Sequence, residues 1–281
     1  MAQFTNRAQL TYNNVVTMSN LAVGEIQDVL SVNKTAVNDT YTANDTITYA
    51  VNIINSGTTD LSGLTLTDDL GSYNAGNLTL QPLDYIDGTV RYFRNSVPQP
   101  APTVTATQNG ISITNFTVPA GGTATFLYEA ATNEFSPLQQ GGMITNTAEL
   151  TSSFTSVSAS STVNVSREPE LSIMKSISPV PVVENGTVTY TFVIQNTGNT
   201  AAEIGAVITD VFDPILSNVT ATFNDAPWTA GIDYTYDTTT GLFTSAPNKV
   251  TVAAAEYIQD PATGSIEVIP GTSTLVITGT I

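Results

Sequence analysis

The stretch Thr46-Ile-Thr-Tyr-Ala-Val-Asn-Ile-Ile54 decides the fold, and the chain writes it a second time as Thr187-Val-Thr-Tyr-Thr-Phe-Val-Ile-Gln195. In the first copy Ile47, Tyr49, Val51 and Ile53 take alternate positions; in the second Val188, Tyr190, Phe192 and Ile194 do the same. A period of two puts each set on one face of an extended strand. Short runs of this kind, rich in Thr, Val, Ile, Ser and Asn and bounded by Gly, Pro, Asn or Asp, recur along all 281 residues. No stretch of useful length carries a 3.6-residue period, so the expectation is an all-β sandwich fold with few and short helices.

Working outward from the two copies, further matches appear at nearly constant spacing. Leu30-Ser-Val-Asn-Lys34 pairs with Leu171-Ser-Ile-Met-Lys175, and Asn55-Ser-Gly57 with Asn196-Thr-Gly198, both at an offset of 141. Gly63-Leu-Thr-Leu-Thr-Asp68 pairs with Gly205-Ala-Val-Ile-Thr-Asp210 at 142. The chain therefore reads as two tandem domains, residues 27–166 and 167–281, with the linker at Ser166 to Glu170.

The copies end differently. Past Thr125-Phe-Leu-Tyr-Glu129 the first domain continues into Ile144-Thr-Asn-Thr-Ala-Glu-Leu-Thr151 and a further strand near Val157 to Val165; after Thr274-Leu-Val-Ile-Thr278 the second has only Gly-Thr-Ile281. The missing sequence stands at the other end, where Phe4-Thr-Asn-Arg-Ala-Gln-Leu-Thr11 matches Ile144 to Thr151 at an offset of 140. Residues 1–26 are thus expected to be a donor-strand segment that completes domain two of a neighbouring subunit. A sandwich without its last strands exposes unpaired edge groups and an open core, and a head-to-tail contact that fills them propagates into a filament unless it closes as a ring.

Composition narrows the chemistry. The chain has 24 acidic and 7 basic residues, a net charge of −17, and neither His nor Cys. Ser/His/Asp and Cys/His triads, disulfides, and zinc or haem sites of the usual ligand types are excluded, and no cofactor or metal is expected. The negative charge disfavours nucleic acid as a partner. No run is apolar enough for a membrane span, and the opening MAQFTNRAQL lacks the apolar centre of a secretory leader, so the expectation is a removed leader or another export route. A hydrophobic content of 41% is sufficient to fill cores.

Three polar residues per repeat break an otherwise apolar inward parity. Lys34 shares a face with Leu30 and Val32, and Lys175 with Leu171 and Ile173. Asp68 falls in line with Leu64, Leu66 and Leu70, and Asp210 with Ala206, Ile208 and Phe212. Asn146 lines up with Ile144, Ala148 and Leu150, and Asn6 with Phe4, Ala8 and Leu10. Two of the three lysines in the chain occupy this repeated position. A buried ammonium must be paired, lose its proton or react.

A Lys, an Asp and an Asn meeting in an apolar core suit a spontaneous isopeptide bond. Desolvation frees the amine to attack the Asn carbonyl, while a protonated Asp stabilises the developing charge and shuttles protons as ammonia leaves. Asp68 and Asp210 would be the acids, Lys34 and Asn146 the cross-linked pair within domain one, and Lys175 and Asn6 the pair between subunits. Such a site turns over once and does not make the chain an enzyme. The alternative is a buried Lys–Asp ion pair hydrogen-bonded to Asn that holds register without reaction. Glu149 is a rival acid in domain one, but its counterpart Gln9 cannot ionise.

The ordered set Lys34, Asn55-Ser-Gly57, Thr67-Asp68, Pro119-Ala-Gly-Gly122 and Ile144-Thr-Asn146-Thr-Ala resembles the bacterial surface-repeat family known as domain of unknown function eleven. The resemblance covers both repeats. It implies immunoglobulin-like sandwiches of Gram-positive surface proteins, a trio similar to that of self-cross-linking pilin and adhesin domains, and an extracellular location on the cell or spore surface, as in two-repeat clostridial spore-appendage subunits. The shifted cut point departs from ordinary tandem members and favours assembly, and no sortase-type tail is visible.

Weaker signals have ordinary explanations. Asp84-Tyr-Ile-Asp87 and Asp233-Tyr-Thr-Tyr-Asp237 lack the spacing of a calcium loop and read as solvated turns. The sequons at Asn77, Asn115 and Asn218 are what an Asn- and Thr-rich chain makes by chance. Trp228, Tyr234 and Tyr236 could line a carbohydrate face but suit packing better. The reading is a homopolymeric fibre subunit, assembled head to tail by donor-strand complementation; the alternative is a monomeric surface adhesin with unreacted ion pairs.

Overall fold

The computed structural model describes residues 2–26, 29–107, 109–153 and 155–281, and among these every regular element is a strand. The chain forms two immunoglobulin-like β-sandwiches in tandem, preceded by a separate hairpin. In the first sandwich, one sheet is built on the Thr46–Asn55 strand, flanked by Leu30–Ala36 and Gly122–Thr132, with Arg91–Arg94 and Val97–Gln99 beyond. The facing sheet runs Thr103–Thr107, Gly110–Thr114, Thr65–Asp68, Met143–Thr151, Ser156–Val165, Thr40–Tyr41. The alternation read from the sequence is realised: Ile47, Tyr49, Val51 and Ile53 are buried and meet Phe126, Leu66, Ile111, Ile144 and Val163 in one core.

The second sandwich repeats the first sheet, in the order Leu171–Ser178, Thr187–Asn196, Gly271–Thr280, Ser217–Phe223, Ala226–Trp228. Its facing sheet has only three strands, Tyr234–Tyr236, Leu242–Ser245 and Thr209–Val211. These correspond to the first three strands of the larger sheet. Among the described residues nothing pairs with the outer edge of Thr209–Val211, where Met143–Thr151 pairs with Thr65–Asp68 in the first sandwich. The consequence is visible on the strand opposite. Leu30 is 5% exposed, whereas its counterpart Leu171 is 42% exposed, and Ile173, Met174 and Ile177 are exposed as well.

The N-terminal hairpin pairs Ala2–Asn6 with Ala22–Ile26 and Gln9–Tyr12 with Val15–Met18. Asn13 and Asn14 turn the chain with φ of 48° and 62°, the doubly left-handed geometry that matches strand twist and that Asn tolerates. Every residue from Thr5 to Val23 is exposed, including Leu10, Tyr12, Val15, Val16 and Met18. The match to Ile144–Thr151 therefore extends beyond one strand. The segment folds as a hairpin in the manner of the Met143–Thr151 and Ser156–Val165 pair, which closes the first sandwich by packing across Leu30–Ala36.

Two structural motifs explain the Asn-x-Gly repeats. The Asn55 Oδ1 accepts from the Gly57 amide at 2.9 Å while its Nδ2 donates to the Thr59 carbonyl at 2.8 Å; Asn196 does the same with Gly198 at 3.0 Å and Thr200 at 2.8 Å. Both asparagines are fully buried and pin the loop that follows the central strand. At the junction, Asn199 Nδ2 donates to the carbonyls of Leu138 and Ser166, at 3.0 and 2.7 Å. The Ile266 amide donates to the Glu134 carbonyl at 2.8 Å, so the Glu256–Gln259 and Ile266–Ile269 hairpin of the second sandwich lies against the first.

Candidate functional site

In the first sandwich, Lys34 enters the core from the middle of the Leu30–Ala36 strand, on the same side as Leu30. Its Nζ donates to Asp68 Oδ2 at 2.5 Å, and the two side chains are 0% and 2% exposed. The ammonium also lies 4.9 Å from the ring centre of Tyr49 and 5.7 Å from that of Tyr128. Burial holds the Lys34 ammonium below its ordinary range, and the attraction of Asp68 opposes this shift without cancelling it. A lowered value favours the neutral, nucleophilic form of the amine.

Asp68 ends the Thr65–Asp68 strand, and its Oδ1 accepts the Leu70 amide at 3.1 Å. Leu70, with φ of 50°, turns the chain sharply there, and a side chain at Gly110 would run into the Asp68 carbonyl. Asn146 is carried by the neighbouring strand and is fully buried. That strand is fixed to the Asp68 turn by Asp69, whose Oδ1 accepts the Thr147 amide at 2.8 Å and the Gly71 amide at 2.9 Å. The three residues singled out by inward parity in domain one thus belong to one buried cluster.

Contact between the acid and the amide is indirect. Asn146 Oδ1 is buried without a hydrogen-bond partner among the described residues. Tyr128 stands between them. Its hydroxyl donates to Asp68 Oδ2 at 2.6 Å and accepts from Asn146 Nδ2 at 3.0 Å. Burial, reinforced by the Asp68 charge, pushes the Tyr128 phenol well above its ordinary range. Tyr49 lies opposite Tyr128 in register and stacks on it with centroids 5.5 Å apart; burial raises its phenol, and the neighbouring Asn146 side chain opposes that rise. Tyr128 alternates with the buried Ala124, Phe126 and Ala130, so the signal in the sequence is a single polar tip on an otherwise apolar face. Glu149, the rival acid, is exposed and accepts a hydrogen bond from Ser156 Oγ, outside the cluster.

The second cluster is half built. Lys175 Nζ donates to Asp210 Oδ2, but the side chains are 40% and 18% exposed. The ammonium sits over Tyr190, Phe192 and Phe212, at 4.8, 5.4 and 5.2 Å from their ring centres. Tyr190 corresponds to Tyr49, whereas the register that puts Tyr128 opposite Tyr49 puts Ile277 opposite Tyr190. No Asn accompanies this pair among the described residues. Asn6 is exposed on the N-terminal hairpin, whose strands pair only with each other.

The weaker sequence signals resolve into packing and turns. Asp233 pairs with Lys249 at 2.8 Å and accepts the Thr229 amide; Asp237 accepts from Thr239; Asp84 accepts from Asn133 at 3.0 Å. Trp228 stacks on Phe223 and Tyr234 on Phe243, while the Tyr236 hydroxyl accepts the Leu216 amide.

Fold and site define a tandem of immunoglobulin-like sandwiches, one of which encloses a Lys–Asp–Tyr–Asn network. Among solved structures, the chain is similar to the pilus backbone of Streptococcus pneumoniae at 12% identity and a TM-score of 0.35, covering 86% of this chain and 55% of that one. It is similar to the major pilin subunit of Bacillus cereus at 12% identity and a TM-score of 0.37, over 96% of this chain and 73% of that one. A C-terminal fragment of the major pilin of Streptococcus agalactiae matches at 12% identity and a TM-score of 0.35, over 88% and 91%. The chain thus spans about half the length of the S. pneumoniae protein. No family model matches it, the surface-repeat family of the sequence resemblance included, and no curated relative does. The fold assignment rests on the chain's own sheets.

Proposed function

We propose that the protein is the structural subunit of an extracellular fibre on the cell or spore surface, polymerised by insertion of the N-terminal hairpin of one molecule into the second sandwich of the next. The observation that carries this reading is a complementary pair of defects. Among the described residues nothing pairs with the edge of the second sandwich at Thr209–Val211, above an exposed apolar face, and an exposed hairpin elsewhere in the same chain carries, at Phe4–Thr11, a match to the Ile144–Thr151 sequence that occupies that place in the first sandwich.

The register follows from the first sandwich, where Ala148, Glu149 and Leu150 lie opposite Asp68, Thr67 and Leu66. Carried over at the repeat offsets, Ala8 lies opposite Asp210, Gln9 opposite Thr209 and Leu10 opposite Ile208. Asn6 then stands to Lys175 and Asp210 as Asn146 stands to Lys34 and Asp68. Insertion covers Leu171, Ile173 and Ile177 and desolvates Lys175, which turns a half-exposed ion pair into a reactive one. Within each subunit Lys34 and Asn146 join as an amide; between subunits Lys175 and Asn6 do, and the fibre becomes covalently continuous. Each bond releases one ammonia.

Boiling assembled protein in SDS tests the reading. The expected result is a ladder of oligomers that is lost in Asn6→Ala and in Lys175→Ala and retained in Lys34→Ala. A monomer band from filaments seen by electron microscopy would remove the covalent bond and leave the hairpin insertion. Monomer in both measurements would overturn the polymer.

A further inference from the structure

The isopeptide reading gives Asp68 the task of moving protons to the departing ammonia, yet Asp68 does not touch the nitrogen that departs. Tyr128 does. We infer that the Tyr128 hydroxyl is a catalytic proton relay for the domain-one bond, passing the proton that Asp68 takes from Lys34 on to the Asn146 leaving group, and that the inter-subunit site operates without such a relay. The inference rests on the cross-linking reading above.

Three consecutive contacts carry the proton: Lys34 Nζ to Asp68 Oδ2 at 2.5 Å, Asp68 Oδ2 to the Tyr128 hydroxyl at 2.6 Å, and that hydroxyl to Asn146 Nδ2 at 3.0 Å. Asp68 first takes one proton from the Lys34 ammonium. The neutral amine then attacks Asn146 Cγ; a C–N bond forms and the carbonyl π pair moves to Oδ1. Nδ2, no longer conjugated, becomes basic, and the Tyr128 hydroxyl gives it a proton while taking the one held by Asp68. The carbonyl re-forms, the Cγ–Nδ2 bond breaks, and ammonia leaves with that bond pair. The new amide nitrogen surrenders its second proton to the Asp68 carboxylate. The five hydrogens of the starting ammonium and amide end as three on ammonia, one on the new amide and one on Asp68, with no net change in charge.

A phenol buried among apolar side chains and beside a carboxylate keeps its proton between these events, as a relay must. Tyr49 supplies an internal control. It occupies the same core and stacks on Tyr128, but the hydroxyl that bonds Asp68 is that of Tyr128, so Tyr49 has no link to the acid that holds the proton. The second sandwich supplies a natural comparison, since Ile277 holds the register position of Tyr128.

The test follows cross-linking in newly synthesised full-length chains, stopped in acid at intervals and weighed intact, in a Lys175→Ala background so that only the domain-one bond releases ammonia. Tyr128→Phe is expected to slow ammonia loss about 100-fold, a typical worth for a positioned acid or base, and Tyr49→Phe to leave it within about twofold. Equal rates for Tyr128→Phe and its parent overturn the relay while leaving the cross-link intact. A parent chain that never loses ammonia overturns the cross-link, and the relay with it. Should Tyr128→Phe fail to fold, Ile277→Tyr in an otherwise unmodified chain decides: faster growth of the SDS-resistant ladder supports the relay, and unchanged growth overturns it.

Discussion

Lys34 and Lys175 occupy the same position of the same repeat, each donating to the aspartate of its own sandwich, yet one side chain is wholly buried and the other is 40% exposed. Local sequence does not cause the difference, because the strands that carry both pairs are homologous. What differs is the layer above. A hairpin closes the first sandwich over Lys34, and nothing among the described residues closes the second over Lys175. A buried ion pair carries a desolvation penalty that must be met by geometry and further hydrogen bonds, whereas a half-exposed pair leaves much of that penalty to water. The comparison teaches that the burial of one and the same ion pair is set by the layer packed over it; on the proposed reading that layer comes to Lys175 from another molecule.

The largest way to break the comparison is to spoil the roof. Leu10→Asp puts a carboxylate into the hairpin position that would lie opposite Ile208, and it is expected to abolish the SDS-resistant ladder. Because Leu10 is 68% exposed in the monomer, the stability of the unassembled chain should change by no more than about 0.5 kcal/mol in denaturant unfolding. A ladder that grows normally would separate assembly from the hairpin.

The aspartates sharpen it next. In an Asn146→Ala background, where no domain-one bond forms, Asp68→Ala leaves a buried ammonium unpaired and is expected to cost about 3–5 kcal/mol. Asp210→Ala in the same background unpairs a lysine that water already reaches, at a cost within about 1 kcal/mol. Urea titrations resolved by fluorescence of Trp228 in the second sandwich and by near-ultraviolet tyrosine signals of both would read the two. Equal costs would mean that the second site is already closed in the monomer.

The smallest effect is a pH dependence. With its folded-state value held below the ordinary 10.5, Lys34 binds fewer protons folded than unfolded between those two values, so stability rises with pH through that window. In the cross-linked protein the Lys34 nitrogen is an amide and does not titrate. The stability deficit of Asn146→Ala relative to the parent should therefore narrow as pH is raised from about 7 to about 10. Tyr49 and Tyr128, raised by burial, oppose folding only above this range, and they do so in both proteins. A constant gap would mean that Lys34 does not titrate differently in the two proteins.

Much of this was legible beforehand. The alternation in Thr46–Asn55 and Thr187–Asn196 predicted the buried face residue by residue, because a strand's geometry is local and its period is two. The inward parity of Lys34, Asp68 and Asn146 likewise needed only the count along each strand. Tyr128 was not found, since tyrosine on an inward face is ordinary core material until its hydroxyl is seen to lie between two other polar groups. Nor did parity separate Lys34 from Lys175: it states which way a side chain points and is silent on whether anything lies there.

By itself, then, the sequence determined the strands, their faces, the repeat, and the displaced copy of the closing segment, all of which follow from short-range periodicity and self-similarity. Only the tertiary structure decided that this segment stands as an exposed hairpin, that among the described residues nothing pairs beyond Thr209–Val211, and that a phenol bridges acid and amide. Those facts depend on which distant strands pack together, and burial, which sets the charge and reactivity of a lysine, is a property of that packing rather than of the strand that bears it.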